Sequence, residues 1–183
     1  MKNTFAIDAI VFDTETTGLI ENRSVKIDRQ PSVIEFYGAL VNLKTGKVKR
    51  ELDVLIKPPT PVSEEITKIT TITNEMLKDR EPFSARAGAI FKFLSSGKLV
   101  IAHNASFDKE MIDIEAERLS YEMRWPRLLC TVEQTLHLKG FRLTLSALHE
   151  HLFGEPFSGA HRAKVDVQAL IRCCVELRKR RVI

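Results

Sequence analysis

Asp13 and Glu15 stand two residues apart in the stretch 11–19, VFDTETTGL, where an apolar run gives way to acids, threonines and a glycine. Side chains alternate along a strand, so both carboxylates are expected on the face that carries Ala9 and Val11. They repel each other, and no lysine or arginine adjoins them in sequence. A turn or a helix cap accounts for one acid and a threonine, but leaves the second acid unexplained.

Two further stretches carry acids in similar settings. His103-Asn104-Ala105-Ser106-Phe107-Asp108 follows an apolar run and opens a helical pattern. Asn104 or Ser106 capping a helix, with Asp108 complementing its dipole, explains that stretch equally well. His161-Arg162-Ala163-Lys164-Val165-Asp166 opens the last helical pattern, in which Asp166 continues the apolar stripe of Leu170, Cys173 and Leu177. An unpaired carboxylate on such a face is costly. His161 lies five residues earlier, about 140° around a regular helix. It can share a site with Asp166 only by reaching in from the preceding loop, and taken alone it reads as a solvated cap.

Together these stretches supply Asp13, Glu15, Asp108 and Asp166 from three separate elements. Four converging carboxylates repel strongly and bind protons more tightly unless cations are present. Two divalent ions would cancel the formal charge, and hard oxygen ligands suit Mg²⁺ or Mn²⁺ rather than zinc. Two such ions about 4 Å apart form a clamp for in-line phosphoryl chemistry.

The elements that must position these residues can be read from hydrophobic periodicity. Residues 5–13, 31–42 and 46–58 read as strands, the last two joined by the Gly-containing hairpin signal 44–47. The Pro-rich segment 58–70 breaks the sheet pattern, and short helices are expected there. Phe83, Ala87, Ile90 and Leu94 fall at helical spacing, with Gly97 as the stop. Residues 98–104 read as a strand, 106–120 as a helix, and 128–130 as a short fifth strand. Thr144 is the expected N-cap of a helix over 145–154, and 162–180 is a long final helix. The order implies an α/β fold, a mixed five-stranded sheet flanked by helices.

Composition bounds the function classes. The 183 residues, 44% hydrophobic and 28% charged, are those of one soluble globular domain over 1–183. No apolar run approaches the length of a membrane span, and no signal-peptide pattern opens the chain, so no membrane role is expected. The three cysteines, Cys130, Cys173 and Cys174, fit a reduced, cytoplasmic chain. The net charge of +4 permits a polyanionic partner without requiring one.

VFDTETTGL, IAHNASFD and HRAKVD resemble the three exonuclease motifs of the DnaQ-like DEDDh family, which includes proofreading subunits of bacterial DNA polymerase III. The segments VIEFYGALV, ITNEMLKD and LTLSALHEHL extend the resemblance over about residues 7–175. It implies an RNase H-like fold and hydrolysis from 3′ ends that releases nucleoside 5′-monophosphates. It makes Asp13, Glu15, Asp108 and Asp166 ligands of two divalent cations, Mg²⁺ or Mn²⁺, and His161 the general base. Thr14, Thr16, Thr17, Gly18 and Leu19 correspond to the segment that holds the terminal nucleotide. His103, Asn104 and Phe107 match positions lining its pocket. No core position departs from the pattern, which argues for an active enzyme.

Physical chemistry agrees with several of these roles. Gly18 frees the backbone to pass close to a ligand. Leu19 and Phe107 offer apolar faces to a splayed base, core packing being the alternative, especially for Phe107. The positive end of the last helix favours a neutral His161 imidazole. Arg162 and Lys164 are candidate phosphate contacts. The basic run 178–181 reads as helix-end charge plus a solvated tail to residue 183, and His137, His149 and His151 as surface or boundary residues. Glu35, with Val33 and Tyr37 on the second strand, reads as a structural polar residue without an assigned partner.

The expected substrate is nucleic acid with a free 3′ end, single-stranded DNA in proofreading or repair. RNA trimming is the alternative, and a silent module that binds nucleic acid or a polymerase is a third reading, opposed by the intact five-residue set. The chain stops soon after the last motif helix, so the C-terminal extension that holds a polymerase is not expected, and a free-standing enzyme is favoured.

Overall fold

The apolar run ending in the paired acids forms β1 (Asp8–Thr16), which continues three residues beyond the boundary read from sequence. The computed structural model describes residues 8–22 and 24–183; residues 5–7 of the expected first strand lie outside them. β2 (Val33–Asn42) and β3 (Val48–Leu55) are antiparallel, as their short link requires. Asn42 Oδ1 accepts the N–H groups of Lys44 and Thr45 in that link, and Gly46 takes φ +74°, a value that disfavours side chains.

Helices α1 (Glu64–Thr70) and α2 (Asn74–Leu77) follow the Pro-rich break, capped by Ser63 and Thr73. Then come α3 (Phe83–Ser95), β4 (Leu99–Ala102), α4 (Ala105–Arg118) and β5 (Arg127–Cys130). α5 (Thr131–Lys139), α6 (Leu145–Phe153) and α7 (Ala163–Lys179) complete the order, with Thr144 Oγ1 capping α6 through the Ala147 N–H. α5 has no counterpart in the sequence reading. It begins directly at the end of β5 without a side-chain cap, and two of its three buried residues are threonines, so no apolar stripe marks it.

The sheet order is β3-β2-β1-β4-β5. β1 runs antiparallel to β2 and parallel to β4, and β5 is parallel to β4. β1 is thus central, and its alternate residues feed two cores. Ile10 and Phe12 pack beneath α3 and α4 with Phe36, Phe93, Val100 and Met111. Ala9 and Val11 face α6 and α7 with Tyr37, Ile101, Leu148, Leu170 and Leu177. Asp13 and Glu15 continue the second face, toward α7.

Two expectations need correction. Lys179, Arg180 and Arg181 are exposed, as a solvated basic run should be, but residues 182 and 183 fold back and do not trail into solvent. Ile183 is buried in the α7-side core, and Arg180 reaches Glu176 Oε1 at 2.9 Å and the Leu152 carbonyl at 3.3 Å. His149 is likewise no surface residue. It is buried, donates through Nδ1 to the Glu155 carbonyl at 2.8 Å and accepts from Arg172 at Nε2. The three cysteines are buried and free. Among the described residues no helix is long and apolar enough to cross a membrane.

Candidate active site

β1 delivers Asp13 and Glu15, and the first turn of α7 delivers Asp166. These three residues offer carboxylate oxygens that all lie within 4.8 Å of one another. Asp108, in the first turn of α4, stands beside them with Oδ1 turned to Thr14, which donates its hydroxyl at 2.8 Å and its backbone N–H at 3.1 Å. A break in the β1–β2 register between Glu15 and Thr16 kinks the strand where it enters the site, as bulges next to active sites commonly do.

The electrostatics follow from burying like charges together. Burial, then the charges of Asp108, Glu15 and Asp166, hold Asp13 well above the usual carboxylate range. Glu15 is raised to about 8, by burial and then by the charges of Asp166, Glu35 and Asp108. Asp108 is raised by burial to about 7 despite the two Thr14 hydrogen bonds, and Asp166 by burial to about 6. Asp166 Oδ1 is buried with no hydrogen-bond partner, while Oδ2 accepts the His161 backbone N–H at 3.0 Å. Such a set fits hard divalent cations. Its donors are all oxygens, they converge, and one buried oxygen lacks any proton donor.

His161 precedes the N-cap of α7 in the left-handed conformation, φ 68°, with its side chain exposed. It therefore enters from the loop, as the helical spacing demands. Arg162, a candidate phosphate contact, is engaged within the protein. Its guanidinium forks onto Glu35, with Nη2 2.7 Å from Oε1 and Nε 3.2 Å from Oε2. Glu35 Oε2 also accepts the Ala163 N–H at 2.9 Å. Glu35 thus acquires the role the sequence left open. The signal was an acid within the all-apolar run Val33-Ile34-Glu35-Phe36-Tyr37, on the same face as Tyr37. Lys164 pairs with Asp53 at 3.3 Å and lies over the Tyr37 ring.

The remaining expected positions divide into anchors and open surface. Thr16 Oγ1 donates to the Gly18 carbonyl at 2.7 Å, and Thr17 exchanges two hydrogen bonds with Ser32. Gly18 has no positive φ, and a Cβ built on it would meet nothing within 4 Å. Leu19 is 82% exposed. Phe107 is half-buried against the α3–α4 core. Both His103 ring nitrogens are engaged, Nε2 with the Leu143 carbonyl at 3.0 Å and Nδ1 with the Thr131 hydroxyl at 2.9 Å. Burial pushes that imidazole down to about 4, so it is neutral and ties β4 to the loop before α6. Asn104 occupies the N-cap position of α4 in the left-handed conformation, but its side chain makes no cap hydrogen bond; its Oδ1 accepts from Arg142 at 2.7 Å. Sequence reasoning missed Thr131 and Arg142, which lie in segments without a motif.

Residues 10–174 match the exonuclease family. The chain belongs to that family. Among relatives of this exonuclease chain, the DNA polymerase III epsilon subunit of Pasteurella multocida is 32% identical over 148 residues, covering 78% of this chain and 56% of the relative. The PolC-type DNA polymerase III of Listeria monocytogenes is 31% identical over 163 residues, 87% of this chain and 10% of the relative. The chain therefore spans only part of the curated relatives it matches. A solved nuclease domain of 3′hExo, described as a DEDDh family member bound to rAMP, superposes with a TM-score of 0.78. It is 15% identical, with 97% of this chain and 94% of that one covered. The exonuclease chain thus has the RNase H-like fold expected from its motifs.

Proposed function

We propose that the protein is a metal-dependent 3′→5′ exonuclease that removes nucleotides from single-stranded DNA ends in proofreading or repair. The observation that carries this reading is the convergence of Asp13, Glu15 and Asp166, with Asp166 Oδ1 buried and unpartnered, in a chain of the exonuclease family. Asp13, Glu15, Asp108 and Asp166 would hold two divalent cations, Mg²⁺ or Mn²⁺. Such ions activate a water and stabilise the leaving oxygen. His161, exposed and tied by its backbone N–H to Asp166, takes the proton from the attacking water. Water adds to phosphorus, the 3′ oxygen of the preceding nucleotide leaves, and a nucleoside 5′-monophosphate is released.

The open surface beside the acids accepts the terminal nucleotide. Nothing within the protein fills the space at Gly18, so a ligand can approach the backbone there. Leu19 stands exposed beside it and offers an apolar face to a splayed base, and half-buried Phe107 is a second candidate face. DNA is favoured because the relatives above 30% identity are parts of DNA polymerases by name. Those names also suggest the setting, work beside a DNA polymerase.

The decisive experiment compares 5′-labelled and 3′-labelled DNA and RNA oligonucleotides with Mg²⁺, Mn²⁺ or EDTA. The 5′-labelled DNA should shorten one nucleotide at a time, the 3′ label should appear at once as mononucleotide, and EDTA should stop both. Faster loss of RNA would overturn the choice of DNA. Internal cleavage, or no hydrolysis in Mn²⁺, would overturn the assignment itself.

A further inference from the structure

We propose that Glu35 and Arg162 are positioning residues that set the approach of His161 to the reacting water, a role that rests on His161 acting as the base. Three consecutive residues at the start of α7 are each fastened to an acid of the site. The His161 N–H is held by Asp166, the Arg162 guanidinium by Glu35, and the Ala163 N–H by Glu35 again. Asp166 closes the loop by donating its own N–H to the Arg162 carbonyl at 3.0 Å.

The pair is placed where a rigid reference is available. Glu35 is 1% exposed on β2 and lies directly opposite Glu15 in the β1–β2 register. Its carboxylate is therefore fixed relative to the strand that carries two of the acids. The planar guanidinium of Arg162, bound in fork geometry, transmits that position to the chain entering α7. The left-handed backbone of His161 costs energy for a residue other than glycine and persists only where neighbours impose it.

Holding the helix itself is not the purpose of these contacts. Val167, Leu170, Cys173, Cys174 and Leu177 already bury α7 against the sheet. What Glu35 and Arg162 add is the direction from which residue 161 enters. A charge effect on the acid cluster is the competing role, and it differs in sign. Glu35→Gln removes a negative charge near Glu15 and Asp166, whereas Arg162→Gln removes a positive one.

The test measures single-turnover rate, KM for a single-stranded DNA oligonucleotide and Mn²⁺ affinity for Glu35→Gln, Arg162→Gln and His161→Ala. Glu35→Gln and Arg162→Gln are also measured in the His161→Ala background, and melting curves verify folding throughout. Gln at 35 is isosteric and still accepts the Ala163 N–H, and Arg162 is partly exposed, so both chains should fold. A positioning role lowers the rate in both single variants by about tenfold or more, with little change in KM. It also predicts no further loss from either variant once His161 is gone. Rate changes of opposite sign in the two variants, or a loss that persists in His161→Ala, would overturn the positioning role. A wild-type rate that survives His161→Ala would overturn the base itself. A rate lost in His161→Ala yet kept in Glu35→Gln overturns the positioning role alone.

Discussion

Thr14 directs both its hydroxyl and its backbone N–H at one oxygen of Asp108, at 2.8 and 3.1 Å, across 94 positions of sequence. This pair of hydrogen bonds to Oδ1 fastens β1 to the first turn of α4 and offsets part of the penalty for burying Asp108. Thr14→Val keeps the shape but removes one donor from a buried carboxylate. It should destabilise the protein by about 1–3 kcal/mol in urea unfolding, with Thr14→Ser recovering most of the loss. Equal stability of Thr14→Val and wild type would show that the hydroxyl contact carries no weight.

Asp13→Asn should abolish hydrolysis, because Asp13 is the acid most crowded by its neighbours and a member of the converging trio. The same change relieves repulsion, so the metal-free variant should be more stable to unfolding than metal-free wild type, by about 1 kcal/mol or more. The two readouts move in opposite directions. Retained turnover in Asp13→Asn would contradict the site.

The pH dependence of stability has a definite sign. Glu15, Asp108 and Asp166 bind protons more tightly folded than unfolded, at about 8, 7 and 6. Their contribution is fully present below the ordinary carboxylate range and is lost as pH rises through those values. Metal-free protein should therefore lose more than about 3 °C of melting temperature between pH 5 and pH 8. Millimolar Mn²⁺ should restore it at pH 8 by binding only the folded chain. A melting temperature that climbs over this range in EDTA would refute the electrostatic account.

Leu19 separates substrate binding from stability. With 82% of its surface exposed it contributes little to the core, so Leu19→Ala should leave unfolding within about 0.5 kcal/mol of wild type. Its loss should raise KM for single-stranded DNA about three- to tenfold if it supports a base. Unchanged KM would remove Leu19 from the substrate surface.

The acids were legible because each sits where a periodic pattern breaks. Asp13 and Glu15 follow the strand parity of Ala9 and Val11, and Asp166 follows the helical stripe of Leu170 and Leu177. Helix caps such as Thr144 were readable for the same reason, since their chemistry is local. Glu35 and Arg162 were not. Their relationship joins residues 127 positions apart, and nothing local to either announces the other. His149 misled because a histidine on a short helix looks solvated until Glu155 and Arg172 close over it. α5 stayed hidden because threonines occupy its buried face.

The last helix in the chain order has a consequence for synthesis. α7 lies across β1 and β2 and brings Asp166, His161 and the counter-ion of Glu35 together. A nascent chain lacking it exposes an incomplete acid set and a carboxylate without its arginine. The three converging acids therefore come together only when α7 packs on the sheet.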